Sequence, residues 1–439
     1  MTTQERQSAL LFLLEGSKNG KAARGKMKAA CVKFSKSRRT ISRLWAEATN
    51  QKNEGKQVYL QSAKIGNKNR PKIVHIDMEL ITSLELKKRS TIRRLAQGIG
   101  CSKSTVGRWI ARGLIKAHTS AIRPDLTAPN KLLRLRFSLE AIELDRIMNV
   151  LRFKSMHNTV HIDEKWFYMT KGMHRFYLAP GETEPHRTCK SKKFITKVMF
   201  MCAVCRPIFN EDGSVLFDGK IGIFPFTHQL PAQRGSKNRP AGTWETKPIQ
   251  SVTKEVVRDC LVNQIIPAIK AKWPANVSKH IYIQQDNVRP HISNSDPIFR
   301  EAADKDGFHF ELVQQPPNSP DTNVNDLGWF RAVQSIQTEK SCNTVDDLVL
   351  AVQQSFEELS AQTLNNVFLS LQGCMIEIMK VRGENNYKLP HMRKGALMRA
   401  GTLPLNLEVD VELVKQALTH LGHMGTTQGM DILQATLGF

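Results

Sequence analysis

QPPNSPDTNVNDLGWF, residues 315–330, passes from a loop into a helix and carries two acids, Asp321 and Asp326. Ser319-Pro320 ahead of Asp321 favours a turn. Asp326 falls at the helix start, where a carboxylate gains from the positive end of the helix dipole. Each acid therefore has an ordinary structural explanation. At helical spacing, however, Asp326, Phe330 and Val333 are i, i+4 and i+7 and share one face. Phe330 and Val333 need apolar cover, so the spacing leans Asp326 toward the same surface.

That surface is built upstream. MHNTVHIDEKWFYM (156–169) reads as a buried strand with acids in its middle, and HRFYLA (174–179) as its hairpin partner. KKFITKVMFMCAVC and GKIGIFPF continue an antiparallel meander. A polar insertion follows near 227–252, then a helix over 255–274, the strand IYIQQD (281–286), a helix in DPIFREAADKDG and the strand FHFELVQ. Carboxylates are costly in buried strands, yet Asp163 and Asp286 interrupt two of them. Asp163 has Lys165 or Arg175 as possible partners, and Asp286 can open a turn through Asn287. Side chains alternate along a strand, so Asp163 and Glu164 face opposite ways. If Asp163, Asp286 and Asp326 converge, they repel unless a divalent cation neutralises them. Oxygen donors alone suit Mg2+ or Mn2+.

The charge balance is uneven. The 439 residues carry a net charge of +24, and residues 1–150 hold 31 of the 64 basic side chains but 11 of the 40 acidic ones. Such a segment points to a polyanion-binding region joined to a near-neutral one. Within it, residues 25–48 and 90–113 read alike: a helix, a short break, then Ser and Lys opening a second helix. The pattern predicts paired helix-turn-helix units. Lys36, Arg38, Arg39 and Arg43 form the polar face of the first recognition helix. Lys103, Ser104, Thr105 and Arg108 form that of the second, with Ser102 as its N-cap and Gly98 and Gly100 easing the turn. Lys68 and Arg70 lie in a basic linker suited to phosphates or a minor groove, or serving only as a flexible connection.

No apolar run is long enough to span a membrane, and the run near Leu10–Leu14 makes a poor signal peptide. Cys202-x-x-Cys205 sits in an apolar run without a second pair and reads as core thiols rather than a zinc site. The expected domains are 1–75 (first helix-turn-helix and linker), 76–150 (second helix-turn-helix and a connecting helix), 151–340 (catalytic α/β domain) and 341–439 (helical). Beyond about residue 405 no motif is legible.

HIDEKWF, QQDNVRPHI, QPPNSPDTNVNDLGWFRAVQS, SKNRPAGTWETKP, IPAIKAKWP and NNYKLPHM resemble the mariner-like transposases, in particular their plant-type branch. The resemblance runs over roughly residues 20–405, and 39 residues separate Asp286 from Asp326, as in that branch. It implies an RNase H-like core with a mixed five-stranded sheet, catalytic and metal-binding roles for Asp163, Asp286 and Asp326, and two Mg2+ or Mn2+ ions per site. It further implies binding of double-stranded terminal inverted repeats, cut-and-paste transposition into TA, a homodimer on DNA and a nuclear location, with no small-molecule substrate and no membrane. Asp321 matches a position the family does not use as a ligand. Thr322 and Asn325 stand where relatives commonly have Leu, which raises the expectation of looser packing behind Asp326, and Val288 stands for a common Ala. Arg289 and His291 beside Asp286, and Arg239 in the insertion, are candidate DNA contacts or supports. The competing reading is a host-recruited DNA-binding protein with an inactive nuclease core; a third is an RNase H-like nuclease acting outside transposition.

Overall fold

A computed structural model describes residues 1–18, 20–62, 76–119, 122–170, 177–186, 188, 191, 194–235 and 239–423. Lys68, Arg70 and Arg175 lie outside these. The chain divides into two compact units, Met1–Ser120 and Ala121–Phe439.

The first unit is helical. Helices α1 (Thr3–Leu14), α2 (Lys26–Lys33) and α3 (Arg38–Asn53) bury Leu10, Leu13, Ala30, Ile41 and Leu44 among themselves. Ser37 caps α3 by accepting the Thr40 N–H. A second trio, α4 (Met78–Ser83), α5 (Ile92–Gly98) and α6 (Lys103–Ala111), closes over Ile81, Leu95, Ala96, Val106 and Trp109. Ser102 caps α6, its hydroxyl accepting the Thr105 N–H at 3.2 Å. The two glycines act differently. Gly100 has φ +68°, a conformation L residues rarely adopt, whereas Gly98 is helical and a Cβ there would lie 2.9 Å from Leu84.

The second unit opens with α7 (Ala128–Glu140). The expected grouping of this helix with residues 76–150 does not match its packing: Leu135 and Leu139 are buried in the second unit's main core. The helix also stops at Glu140. A hairpin of β1 (Ile142–Asp145) and β2 (Val150–Phe153) follows, where the sequence suggested continuous helix.

The main sheet is mixed and five-stranded, as expected. β3 (Thr159–Tyr168), β4 (Lys197–Cys205), β7 (Lys220–Pro225), β10 (His280–Gln285) and β11 (His309–Gln314) lie in the order β11-β10-β3-β4-β7. β3, β4 and β7 form the antiparallel meander, while β10 and β11 run parallel to β3. Between them sit the short hairpin β5 (Ile208–Phe209) and β6 (Val215–Phe217), and a second hairpin, β8 (Thr227–Pro231) with β9 (Trp244–Pro248). The second lies inside the insertion read as a loop. β3 pairs with β4, and the expected partner HRFYLA is only partly described. Residues 174–176 lie outside the described set, and 177–179 are not a strand.

Both sheet faces are covered, which is why these strands read as apolar runs. On one face, Val160, Ile162, Met201 and Ala203 pack against α8 (Lys254–Cys260), α9 (Ile266–Lys272) and α10 (Pro297–Ala303). A single π turn, Leu261–Ile265, joins α8 to α9 just before Pro267, whose ring and missing N–H disfavour a regular α continuation. On the other face, Phe167, Phe200, Cys202 and Val204 meet α11 (Phe330–Gln337), α12 (Val345–Glu358) and α13 (Ala361–Lys380). The helical C-terminal part is thus one layer of this unit. After α14 (Lys394–Arg399), the chain adds to β2 through Phe153 N–H to Leu407 O (3.1 Å) and Val409 N–H to Leu151 O (2.8 Å). It ends, among described residues, in α15 (Val411–His423), which buries Val414, Leu418 and Leu421. No described helix is long and apolar enough to cross a membrane, and the seven described cysteines are free thiols.

Asp321 sits in a 3-10 turn, Pro320–Thr322, as its context predicts. It also does something the sequence did not disclose. The side chain of Arg134, on α7, is 0% exposed and grips Asp321 with both arms, Nη1 to Oδ1 at 2.6 Å and Nη2 to Oδ2 at 2.8 Å. The Tyr387 hydroxyl donates to the same carboxylate, and Arg134 Nε donates to Gly383 O at 2.9 Å. Burial alone would raise the Asp321 carboxyl; Arg134 and Tyr387 outweigh it and hold the group below its usual range. Removing one partner of a buried pair strands the other charge, at a cost of about 3–5 kcal/mol. Asp321→Asn should therefore lower stability by about that amount in urea denaturation, while Asp326→Asn should leave it unchanged or raised. Equal losses would mean the Arg134 pair contributes nothing special.

Candidate active site

Strand alternation sets the site. His161 points to the α11–α13 face, where its ring meets Phe368 edge-on, and Ile162 packs in the opposite core. Asp163 therefore projects toward the α11 side and Glu164 away from it, as the sequence reading required. Asp163 pairs in register with Cys202 near the middle of the central strand. Asp286 immediately follows β10, which runs parallel to β3 with Gln284 opposite His161. That register brings the end of β10 level with Asp163.

Asp326 arrives from above. Phe330 and Val333 are buried on the sheet as predicted, but the turn carrying Asp326 is not regular α-helix. Asn325–Trp329 is a π turn that runs on into α11. Inside it Trp329 is buried, whereas Asp326 is solvent-accessible. Its carboxyl nevertheless lies close enough to Asp163 for the two acids to perturb each other. The polar residues expected to loosen this region each make a side-chain hydrogen bond, although Asn325 Oδ1 is buried without a partner. Thr322 Oγ1 donates to Ser319 O at 2.7 Å, Gln284 Nε2 donates to Thr322 O at 2.9 Å, and Asn325 Nδ2 donates to His161 O at 3.1 Å.

The electrostatics divide the acids. Burial first, then the charges of Asp326, Glu164 and Asp286, push Asp163 up to about 9. Asp326 is also raised, chiefly by burial, with the Asp163 hydrogen bond and Lys165 opposing. Both shifts favour a proton on the Asp163–Asp326 pair. Asp286 is lowered: burial raises it, but His291 more than compensates. His291 is pushed up to about 10 despite its burial, because its two ring nitrogens face carboxylates, Nδ1 to Asp286 Oδ1 at 3.0 Å and Nε2 to Glu164 Oε1 at 2.8 Å. Glu164, set aside because it faces the wrong way, reaches the site through this imidazolium.

Oxygen-only donors and an acid pair with unbalanced charge fit a hard divalent cation in chemistry. The geometry is partial. Among the described residues, no three His, Cys, Asp or Glu side chains stand ready to hold an ion. Asp163 and Asp326 meet, while Asp286 is drawn onto His291.

The remaining candidates fall as follows. Lys36, Arg38, Arg39 and Arg43 are exposed at and along α3, and Lys103, Ser104 and Arg108 along α6. Thr105 is a correction. It is buried, because its hydroxyl pairs with that of the cap residue Ser102 at 2.9 Å, so it is not part of the open face. Arg289 is exposed. Arg239 is paired with Glu245 across the β8–β9 hairpin, which Lys247 also engages at 2.8 Å.

The pKa values set a pH dependence. Folded Asp163 keeps its proton to about pH 9, whereas an unfolded Asp loses it near pH 4. The folded state binds the extra proton between these limits, so stability falls as pH rises through that window. His291 adds a loss of the same sign, from the ordinary His range up to about 10. Asp163→Asn isolates the first effect. In EDTA, its melting temperature should gain on that of the unmodified chain steadily from pH 4 to pH 9. A difference that stays flat with pH contradicts the assigned proton.

No protein-family model matches the chain, and no curated protein does. Solved structures similar to it include a Mos1 transposase paired-end complex with left transposon end, at 16% identity over 87% of this chain and 98% of that one, TM-score 0.47. A pre-cleavage Mos1 transpososome has 15% identity over 88% and 98%, TM-score 0.48. The catalytic domain of Mos1 mariner transposase has 14% identity over 61% and 100%, TM-score 0.38. At these identities and TM-scores the likeness does not establish membership of a family.

Proposed function

We propose that the chain is a divalent-metal-dependent DNA transposase of the mariner-like kind, with an RNase H-like catalytic core. The observation that carries this reading is the meeting of Asp163 and Asp326, with Asp286 near enough to perturb both, on a mixed five-stranded sheet. The sequence motifs around all three acids, and the 39 residues between Asp286 and Asp326, support it. The basic helical unit supplies the DNA partner: Arg38, Arg39 and Arg43 on one capped helix and Lys103, Ser104 and Arg108 on another would face terminal inverted repeats. Insertion at TA, action as a homodimer and a nuclear location belong to the same reading.

Two Mg2+ or Mn2+ ions at the carboxylates would activate a water, or a freed 3′-hydroxyl, for in-line attack and offset charge on the phosphate. For its part, the chain must release the proton shared by Asp163 and Asp326. His291 holds Asp286 ionised and oriented, and Glu164 fixes His291 from the other side. Arg239, engaged by Glu245, is not assigned a phosphate contact.

Two measurements test this. With duplexes from the repeats flanking the gene, Asp326→Ala should abolish Mn2+-dependent cleavage and leave binding intact. Cleavage by that variant removes Asp326 from the site, and binding without cleavage by the unmodified protein favours the recruited DNA-binding alternative. Arg39→Ala with Arg43→Ala should weaken binding across sequences and flatten its salt dependence by about 1 log unit per lost phosphate contact. An unchanged slope would mean α3 does not touch the backbone.

A further inference from the structure

The acid pair is held by a residue that carries no charge. Asn323 is 0% exposed and lies between the 3-10 turn and the π turn. Its side-chain amide is fully used. Nδ2 donates to Ile162 O at 3.3 Å and to Asp163 Oδ2 at 3.2 Å, while Oδ1 accepts the Asn325 N–H at 3.0 Å. The Ile162 carbonyl, which only accepts, and the Asn325 N–H, which only donates, fix the amide's orientation. Its backbone carbonyl accepts the Leu327 N–H at 2.9 Å, closing the first turn around Asp326.

Asn325, also 0% exposed, makes a different kind of contact: its Nδ2 bonds only the backbone oxygen of His161. The two amides therefore clip the π turn onto successive carbonyls of β3, but only Asn323 touches a carboxylate. The other oxygen of Asp163, Oδ1, accepts the Glu164 N–H at 2.8 Å. With both oxygens held, the Asp163 carboxylate has little freedom to rotate, and the side chain holding Oδ2 also braces the turn that presents Asp326.

We propose that Asn323 is a positioning residue that sets the Asp163–Asp326 separation for divalent metal binding. The proposal rests on the metal-dependent reading above and adds to it a residue in contact with one ligand and three positions before another. Partners of this kind orient ligands, and losing one typically costs about 10–100-fold in metal affinity.

The test is Mn2+ binding by titration calorimetry on the full chain without DNA, so the readout is not activity. Asn323→Ala should weaken Mn2+ affinity by about 10-fold or more. Asn325→Ala removes a buried hydrogen bond to backbone alone, so it should lower the melting temperature with much less effect on affinity. If Asn323→Ala does not fold, Asn323→Leu, of the same branched shape but larger, takes its place. Wild-type affinity in the Asn323 variant overturns the proposal, as does an equal loss in both variants, which would indicate general loosening. Absence of Mn2+ binding by the unmodified chain is a different result. It removes the metal-dependent reading itself, and the proposal with it.

Discussion

The contact between Asp163 and Asp326 is the constraint around which the second unit is arranged. A carboxylate in the central strand of a sheet covered on both faces is already expensive. A second acid against it adds repulsion, which favours a proton on the pair. Much of the nearby polar structure contains that cost. Asn323 and the Glu164 N–H take the two oxygens of Asp163. His291 balances Asp286 and Glu164 together. The apolar anchors Trp329, Phe330 and Val333 keep the turn seated against the repulsion; burying each such side chain is worth about 1.5–3 kcal/mol.

Asp321 and Asp326, five residues apart, show how surroundings assign opposite roles to the same side chain. Both are crowded by protein, and burial pushes both toward the neutral form. Asp321 meets a guanidinium and a phenol and is ionised and spent. Asp326 meets another acid and has charge to give to a cation. The Asp321 pair with Arg134 joins distant segments. It ties α7 to the loop before the π turn and to the segment at Gly383, where φ is +87° and a Cβ would lie 2.1 Å from Lys131 O. The acid that holds the fold and the acid proposed for the chemistry are thus braced by separate networks.

Local signals carried the reading far. Ser102 announced a capped helix, apolar runs announced the meander, and acids interrupting buried strands pointed to a candidate site. Failures came where a contact that periodicity does not show decided the outcome. Thr105 looked like an exposed helix residue, but its cap neighbour claims its hydroxyl. The insertion 227–252 looked like a loop because short strands with few apolar residues leave little periodicity. Residues 405–409 have no motif because their partners lie far away in the sequence: β2 pairs with their backbone, and Arg206 and Gln372 bond the Asn406 side chain.

The sequence by itself determined which acids interrupt buried strands, the spacing of the last two, the basic excess of the first unit and the helical face shared by Asp326, Phe330 and Val333. These follow from local periodicity and from the cost of burying charge, which are properties of the chain alone. Only the tertiary structure decided that Asp321 belongs to Arg134, that Glu164 enters the site through His291 and that Asn323 binds Asp163. Each joins residues more than a hundred positions apart. Hydrogen bonds and ion pairs act over a few ångströms, so packing, not sequence order, selects their partners.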